Sequence, residues 1–147
     1  MKVYLDTNIL YSYLKRRLEN KIVKKEDSND NLIFPTGIIS VTSFFTFGEI
    51  IEVLKKEMRI NRNVLEEFLK NEIEELHLEI VKEVSIDKEI LEFCFNGLDL
   101  KDALHLTIAK QYKLAILTND LKLLSFSRSI GMKSFNLKEF KNLSFKL

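Results

Sequence analysis

Four acids in this chain have settings that suit hydrolytic chemistry: Asp6, Glu49, Asp102 and Asp120. Asp6 closes a short apolar run, Val3-Tyr4-Leu5, and is followed by Thr7-Asn8 and then by apolar residues at helical spacing. Asp120 follows a second compact run, Leu114-Ala115-Ile116-Leu117, through Thr118-Asn119. Both stand where a buried strand hands over to a helix, and taken singly each suits a helix cap. Glu49 and Asp102 are harder to explain by local structure. Glu49 has Phe45 four residues before it and Val53 four after it, and an unpaired carboxylate among apolar neighbours is costly. Gly48 beside it costs a helix interior about 1 kcal/mol relative to Ala. Asp102 suits the first turn of a helix capped by Asp99. Yet Leu98, Leu106 and Ala109 place it on the packed face of that helix.

The joint pattern says more than any one acid. Two strands that each end in a carboxylate open on the same edge of a parallel sheet, the edge where ligands bind in such folds. Asp102 starts a helix that runs back across the sheet, so it begins at that edge too. Carboxylates gathered there repel one another in a low dielectric. A hard divalent cation, Mg²⁺ or Mn²⁺, relieves the repulsion, because it takes oxygen ligands and binds through a few carboxylates, waters and substrate phosphates. The chemistry this implies is metal-assisted hydrolysis of a phosphodiester.

The elements that must position these acids follow from periodicity. Ile9, Leu10, Tyr13, Leu14 and Leu18 predict a first helix, with Lys15, Arg16 and Arg17 in its last turns. Residues 19–36 are charged and polar and predict an exposed connection. Residues 38–41 predict a strand. Thr42 or Ser43 would cap a helix over about 43–58, with Phe44, Phe47, Ile51, Leu54 and Met58 as its apolar stripe. A helix over 61–74 carries Val64, Leu65, Phe68 and Leu69, and residues 78–81 predict another strand. Ser85 would cap the next helix, which buries Ile86, Ile90, Leu91, Phe93 and Cys94 and ends at Gly97. Further expectations are a helix over 99–112, a strand over 114–117, a helix over 121–127, an edge strand over 131–134 and a last helical turn over 137–141. Strands alternating with helices predict a three-layer α/β/α domain with a mainly parallel central sheet.

The totals agree with this. The 147 residues suit one domain over 1–147. Apolar residues make up 46%, enough for a core whose eleven Phe and absent Trp give it a Phe, Leu and Ile character. One Pro and four Gly exclude turn-rich all-β folds and disorder. With one Cys, a disulfide framework and a Cys-based zinc site are excluded within the chain, and Cys94 between two Phe is expected in the core. A net charge of +1 neither favours nor opposes nucleic acid, so any basic surface has to be local. No leader-like segment and no long apolar run is visible, which predicts a cytoplasmic protein without a membrane span.

Four sequence pieces carry a family resemblance: Leu5-Asp6-Thr7-Asn8-Ile9-Leu10, Thr46-Phe47-Gly48-Glu49-Ile50-Ile51, Lys101-Asp102-Ala103-Leu104-His105-Leu106, and Leu117-Thr118-Asn119-Asp120. In this order they resemble the PIN-domain family of metal-dependent ribonucleases, and within it the VapC-type toxins of prokaryotic toxin–antitoxin pairs. The resemblance implies a PIN-like fold and a site of Asp6, Glu49, Asp102 and Asp120 holding Mg²⁺ or Mn²⁺. It also implies support from Thr7, Asn8, Thr118 and Asn119, RNA as substrate, a small antitoxin as partner, and a homodimer. Some members carry another acid two residues past the last one, where this chain has Lys122. Asp99 is a candidate outer acid. Lys15, Arg16, Arg17 and Arg128 are candidates for phosphate contacts. His105, three residues past Asp102, is a candidate general base that ranks behind a metal-activated water.

Three other readings compete. A nuclease of the same architecture could process RNA or cut structured DNA. A phosphotransferase with an Asp nucleophile usually carries a second Asp two residues on, and here Asn8 stands there. A non-catalytic domain that binds RNA or a protein would not need all four acids.

Overall fold

In the computed structural model, residues 1–22 and 37–144 are described. Five strands form one sheet in the order β3-β2-β1-β4-β5, every pair parallel. The strands are β1 (Lys2–Leu5), β2 (Ile39–Ser43), β3 (Glu79–Val81), β4 (Ala115–Leu117) and β5 (Ser134–Phe135). Seven helices among the described residues connect and flank them: α1 (Thr7–Ile22), α2 (Phe44–Met58), α3 (Arg62–Glu75), α4 (Lys88–Phe95), α5 (Leu100–Gln111), α6 (Leu121–Ser129) and α7 (Leu137–Ser144). This is the three-layer α/β/α arrangement that the sequence predicts.

Strand alternation builds the two outer layers. In β1, Val3 and Leu5 face one core while Tyr4 faces the other; in β4, Ala115 and Leu117 divide from Ile116 in the same way. The first core takes Leu10 and Leu14 of α1, Ile50 and Leu54 of α2, Phe68 of α3 and Phe140 of α7. The second takes Ile90 and Phe93 of α4, Leu106 and Ile108 of α5 and Leu123 of α6. Continuous apolar runs are what a central strand covered on both faces requires.

Between β1 and β4 the chain order reverses, since β2 and β3 lie to one side of β1 and β4 and β5 to the other. Such a reversal opens a crevice beyond the C-terminal ends of the two strands. Asp6 and Asp120 stand there, and the Asp6 N–H donates to the Leu117 carbonyl at 3.0 Å, extending the β1–β4 ladder into the crevice.

Local chemistry sets the helix ends. Ser43, Asn61, Asp87, Asp99 and Asp120 each accept a backbone N–H as N-caps of α2 to α6. At the end of α4, the Gly97 and Leu98 N–H groups return to the Cys94 and Phe93 carbonyls. Gly97 has φ +105 there, which favours a residue without Cβ.

Several expectations are corrected. Asp87, not Ser85, caps α4; the Ser85 N–H is instead engaged by the Gln111 side chain at 3.1 Å. Ile86 is accordingly 75% exposed, Leu91 is exposed as well, and Cys94 is only half-buried. On α2 the buried stripe is Thr46, Phe47, Ile50 and Leu54, which leaves Phe44 56% exposed and Ile51 at the margin. Val64 also faces outward. The helix α1 extends to Ile22, into the stretch expected as a connection, whose remainder (23–36) lies outside the described residues. The edge strand begins at Ser134 and the last helix reaches Ser144, both later than expected.

Candidate active site

All four acids line a single cleft of about 480 Å³ at the switch point, together with Thr7, Asn8, Asp99 and His105. Each arrives on a separate element: Asp6 on the turn from β1 into α1, Glu49 midway along α2, Asp102 in the first turn of α5, and Asp120 at the cap of α6.

Thr118 joins the two strand-end acids. Its hydroxyl donates to Asp6 Oδ2 at 2.7 Å, and its Oγ1 accepts the Asp120 N–H at 3.0 Å. Asp6 Oδ1 accepts the Thr7 N–H at 2.8 Å, and Asp120 Oδ1 accepts the Leu123 N–H at 2.9 Å. The capping reading of Asp120 is therefore correct as well, and the cap occupies one carboxylate oxygen. Asp99 Oδ1 accepts the Asp102 N–H at 2.8 Å, so Asp99 is both the α5 cap and a wall of the cleft.

The two halves of the cleft differ electrostatically. Burial alone would raise the Glu49 carboxyl, but hydrogen bonds from His105 and Thr7, with Lys101 nearby, hold it below the usual range. Those bonds are Thr7 Oγ1 to Glu49 Oε1 at 2.9 Å and His105 Nε2 to the same oxygen at 3.0 Å; Lys101 Nζ lies 3.6 Å from Oε2. Asp102 is in the opposite state. Burial, followed by the negative charges of Asp99, Asp120 and Asp6, pushes its carboxyl up to about 6. The Glu49 charge is well compensated from within the chain, whereas around Asp102 burial and neighbouring carboxylates outweigh the attraction of His105.

This difference sets a pH dependence. Asp102 has an ordinary value of 3.8 and titrates near 6 in the folded chain. As pH falls from 7 towards 5, the folded state therefore takes up a proton that the unfolded state does not, and stability rises. The melting temperature of chelator-treated protein is expected to increase between pH 7.5 and 5.5. The increase should shrink in Asp102→Asn, and it should shrink when Mg²⁺ is added. Thermal unfolding at the two pH values checks this, and an unchanged increase in Asp102→Asn would assign it elsewhere.

Of the expected supporting residues, Thr7 and Thr118 contact the acids, and Asn8 lines the cleft. Asn119 does not; its Oδ1 accepts the Leu137 N–H at 3.1 Å. The expected phosphate contacts also lie elsewhere. Lys15 pairs with Glu57 at 3.0 Å, Arg17 with Glu72 and Glu75, and Arg128 with Glu139, and none of these cations, nor Arg16, lines the cleft. Lys56 and Lys101 do line it, and neither is among the cations expected there. The signal for Lys101 is its position directly before Asp102. His105 is more central than its sequence position suggests: it is buried, and it contacts Glu49, Thr7 and Tyr4.

The PIN domain family model matches residues 3–128. The chain belongs to the PIN domain family. That membership implies a nuclease in general terms. Solved structures agree on the fold. PAE2754 from Pyrobaculum aerophilum superposes with a TM-score of 0.62 at 17% identity, over 99% of this chain and 88% of that one. VapBC2 from Rickettsia felis, solved bound to a DNA fragment from its promoter, gives 0.60 at 16% identity over 92% and 98%. VapBC-1 from nontypeable Haemophilus influenzae gives 0.58 at 17% over 91% and 96%. No curated protein matches in sequence. No helix among the described residues is long and apolar enough to cross a membrane.

Proposed function

We propose that this protein, a single PIN domain over 1–147, is a divalent-metal-dependent endoribonuclease acting as the toxin of a VapC-type pair. The observation that carries the reading is the convergence of Asp6, Glu49, Asp102 and Asp120 on one cleft at the switch point, where burial and neighbouring carboxylates raise Asp102. Structural similarity to two VapBC proteins supports the toxin–antitoxin assignment. The reading includes a small antitoxin as partner, a homodimer and a cytoplasmic location.

The donor set fits a hard cation. Asp6, Asp102 and Asp120 offer carboxylate oxygens, and burial together with mutual repulsion raises the Asp102 carboxyl. Mg²⁺ and Mn²⁺ take oxygen ligands, keep waters and bind through carboxylates plus substrate phosphate. Asp6, Glu49, Asp102 and Asp120 would hold the ion. The ion, when bound, activates water and neutralises charge developing on the phosphate. Glu49, kept ionised by its hydrogen bonds, would offer a charged oxygen to the same ion. Thr118 fixes Asp6 and Asp120 relative to each other.

Lys101 and Lys56 line the cleft, and in this reading they meet the RNA backbone. Lys101→Ala should raise KM for RNA several-fold, change kcat little, and lower the salt slope of binding by about one. Binding measured across a salt series checks this, and a collapse of kcat at unchanged KM would give Lys101 a different role.

The deciding experiment sequences the products of total RNA treated with purified protein and Mg²⁺ or Mn²⁺, with Asp6→Asn as control and a DNA arm alongside. Metal-dependent RNA cuts absent from the control support the reading. Cuts confined to DNA would replace the substrate, and no cutting of either would make the domain non-catalytic.

A further inference from the structure

A chain of polar contacts runs from the interior of the second core to Glu49. The Tyr4 hydroxyl, carried by the central strand, lies 3.0 Å from Ser43 Oγ, 3.2 Å from Thr46 Oγ1 and 2.7 Å from His105 Nδ1. On its other side, the same imidazole places Nε2 3.0 Å from Glu49 Oε1, 2.9 Å from Thr7 Oγ1 and 3.6 Å from Asp6 Oδ1. Every member except Thr7 and Glu49 is fully buried. Phe45 and Tyr4 also pack on the ring, with centroids 5.1 and 5.7 Å away, so it has no freedom to swing.

The acceptor chemistry sets the direction of these bonds. A carboxylate can only accept, so the hydrogen between His105 and Glu49 sits on Nε2. Nδ1 then accepts, and the hydroxyl facing it donates. Burial pushes the Tyr4 hydroxyl up from its ordinary value, which keeps its proton in place for that bond. Ser43 and Thr46 lie beside the Tyr4 oxygen, and the Thr46 N–H donates to Ser43 Oγ at the cap of α2. The helix that carries Glu49 and the ring that holds its carboxylate are thus tied to the same tyrosine.

We propose that His105 is a positioning residue for Glu49, its tautomer set by the Glu49 carboxylate and matched by the Tyr4 hydroxyl, and not a general base. This rests on the ribonuclease reading above. Residues that orient metal-site carboxylates typically cost about 10- to 100-fold in metal affinity or activity when lost.

Two substitutions separate the possibilities. In His105→Gln the amide nitrogen can reach the Nε2 position and still donate to Glu49, but it cannot take up a proton. In His105→Asn the amide reaches only the Nδ1 position. With Mn²⁺ affinity measured by calorimetry and RNA cleavage followed in parallel, His105→Asn should lose about 10- to 100-fold in affinity or kcat at similar KM. His105→Gln should stay within about fivefold of the parent, on the same principle that the orienting bond is kept. Tyr4→Phe should lose less than His105→Asn, and long-range ¹H–¹⁵N spectra of the metal-free parent should show the Nε2–H tautomer. If His105→Gln is as impaired as His105→Asn, the positioning role is wrong. If it also loses a limb of the pH–rate profile, His105 is a base. If His105→Asn matches the parent while Asp6→Asn is dead, the inference fails and the ribonuclease reading stands. If the parent neither binds Mn²⁺ nor cuts RNA, that reading falls first.

Discussion

Asp6→Asn is expected to reduce RNA cleavage by at least about a thousandfold while the protein stays folded. A metal-held phosphate draws several kcal/mol of transition-state stabilisation from its ion, and each 1.36 kcal/mol is worth a factor of ten. Asp6 is the buried acid of the site, bonded to Thr7 and Thr118, so its oxygens cannot be replaced by a neighbour swinging in. The fold should survive for three reasons. Asn keeps the side-chain volume, and its amide oxygen can still accept the Thr7 N–H. The Thr118 hydroxyl can reverse to accept where it now donates, at a cost of about 1 kcal/mol. Removing one negative charge also relieves Asp102, whose carboxyl Asp6 helps to raise. Metal-free Asp6→Asn should therefore melt near the parent while losing both Mn²⁺ binding and cleavage. Cleavage at the parental rate would remove Asp6 from the site.

How much of this site could be read in advance depended on where each contact lay in sequence. The strand-end acids were readable because β1 and β4 are buried on both faces, which makes their apolar runs continuous and puts the polar residue after each at a known edge. Glu49 and Asp102 were readable because their helical neighbours are apolar. The network around His105 was not readable in the same way, since Tyr4 and His105 stand 101 positions apart and pairing needs the folded sheet. A hint was present: a tyrosine in a strand covered on both faces must find a partner for its hydroxyl. The α4 cap slipped because Ser85 and Asp87 both suit the role, and only packing against α5 decides between them. The stripe of α2 was centred too near Phe44 and Ile51, because the periodicity does not show which apolar residues meet α1 and which meet solvent. The ion pairs of the α1 cations are hidden for a related reason: charge run and position agree with a phosphate contact until α2 brings Glu57 to Lys15 and α3 brings Glu72 and Glu75 to Arg17.

Arg17 is the case where that difference has the largest expected effect. Its Nε lies 2.9 Å from Glu72 Oε1 and 2.8 Å from Oε2, its Nη2 lies 2.8 Å from Glu75 Oε2, and Glu72 is 1% exposed. Burial raises the Glu72 carboxyl above its ordinary 4.5 even with Arg17 lowering it, so Arg17 is what makes a buried charge there tolerable. Arg17→Met keeps the apolar stem but strands that charge, and breaking a buried pair from one side costs about 3 kcal/mol. For a chain of this size that lowers the melting temperature by roughly 10 °C. The sign with pH follows from the raised carboxyl: protonated Glu72 is the form the folded state prefers, so the penalty is full near pH 7 and fades as pH falls through the folded value. Arg17→Met with Glu72→Met should recover most of the loss, because replacing both partners leaves no unpaired charge. Cleavage per folded molecule should match the parent in both variants, as Arg17 does not line the cleft. Thermal melts at pH 7 and pH 5 with cleavage assays well below the transition test this. Lost cleavage without lost stability would return Arg17 to the RNA-binding surface.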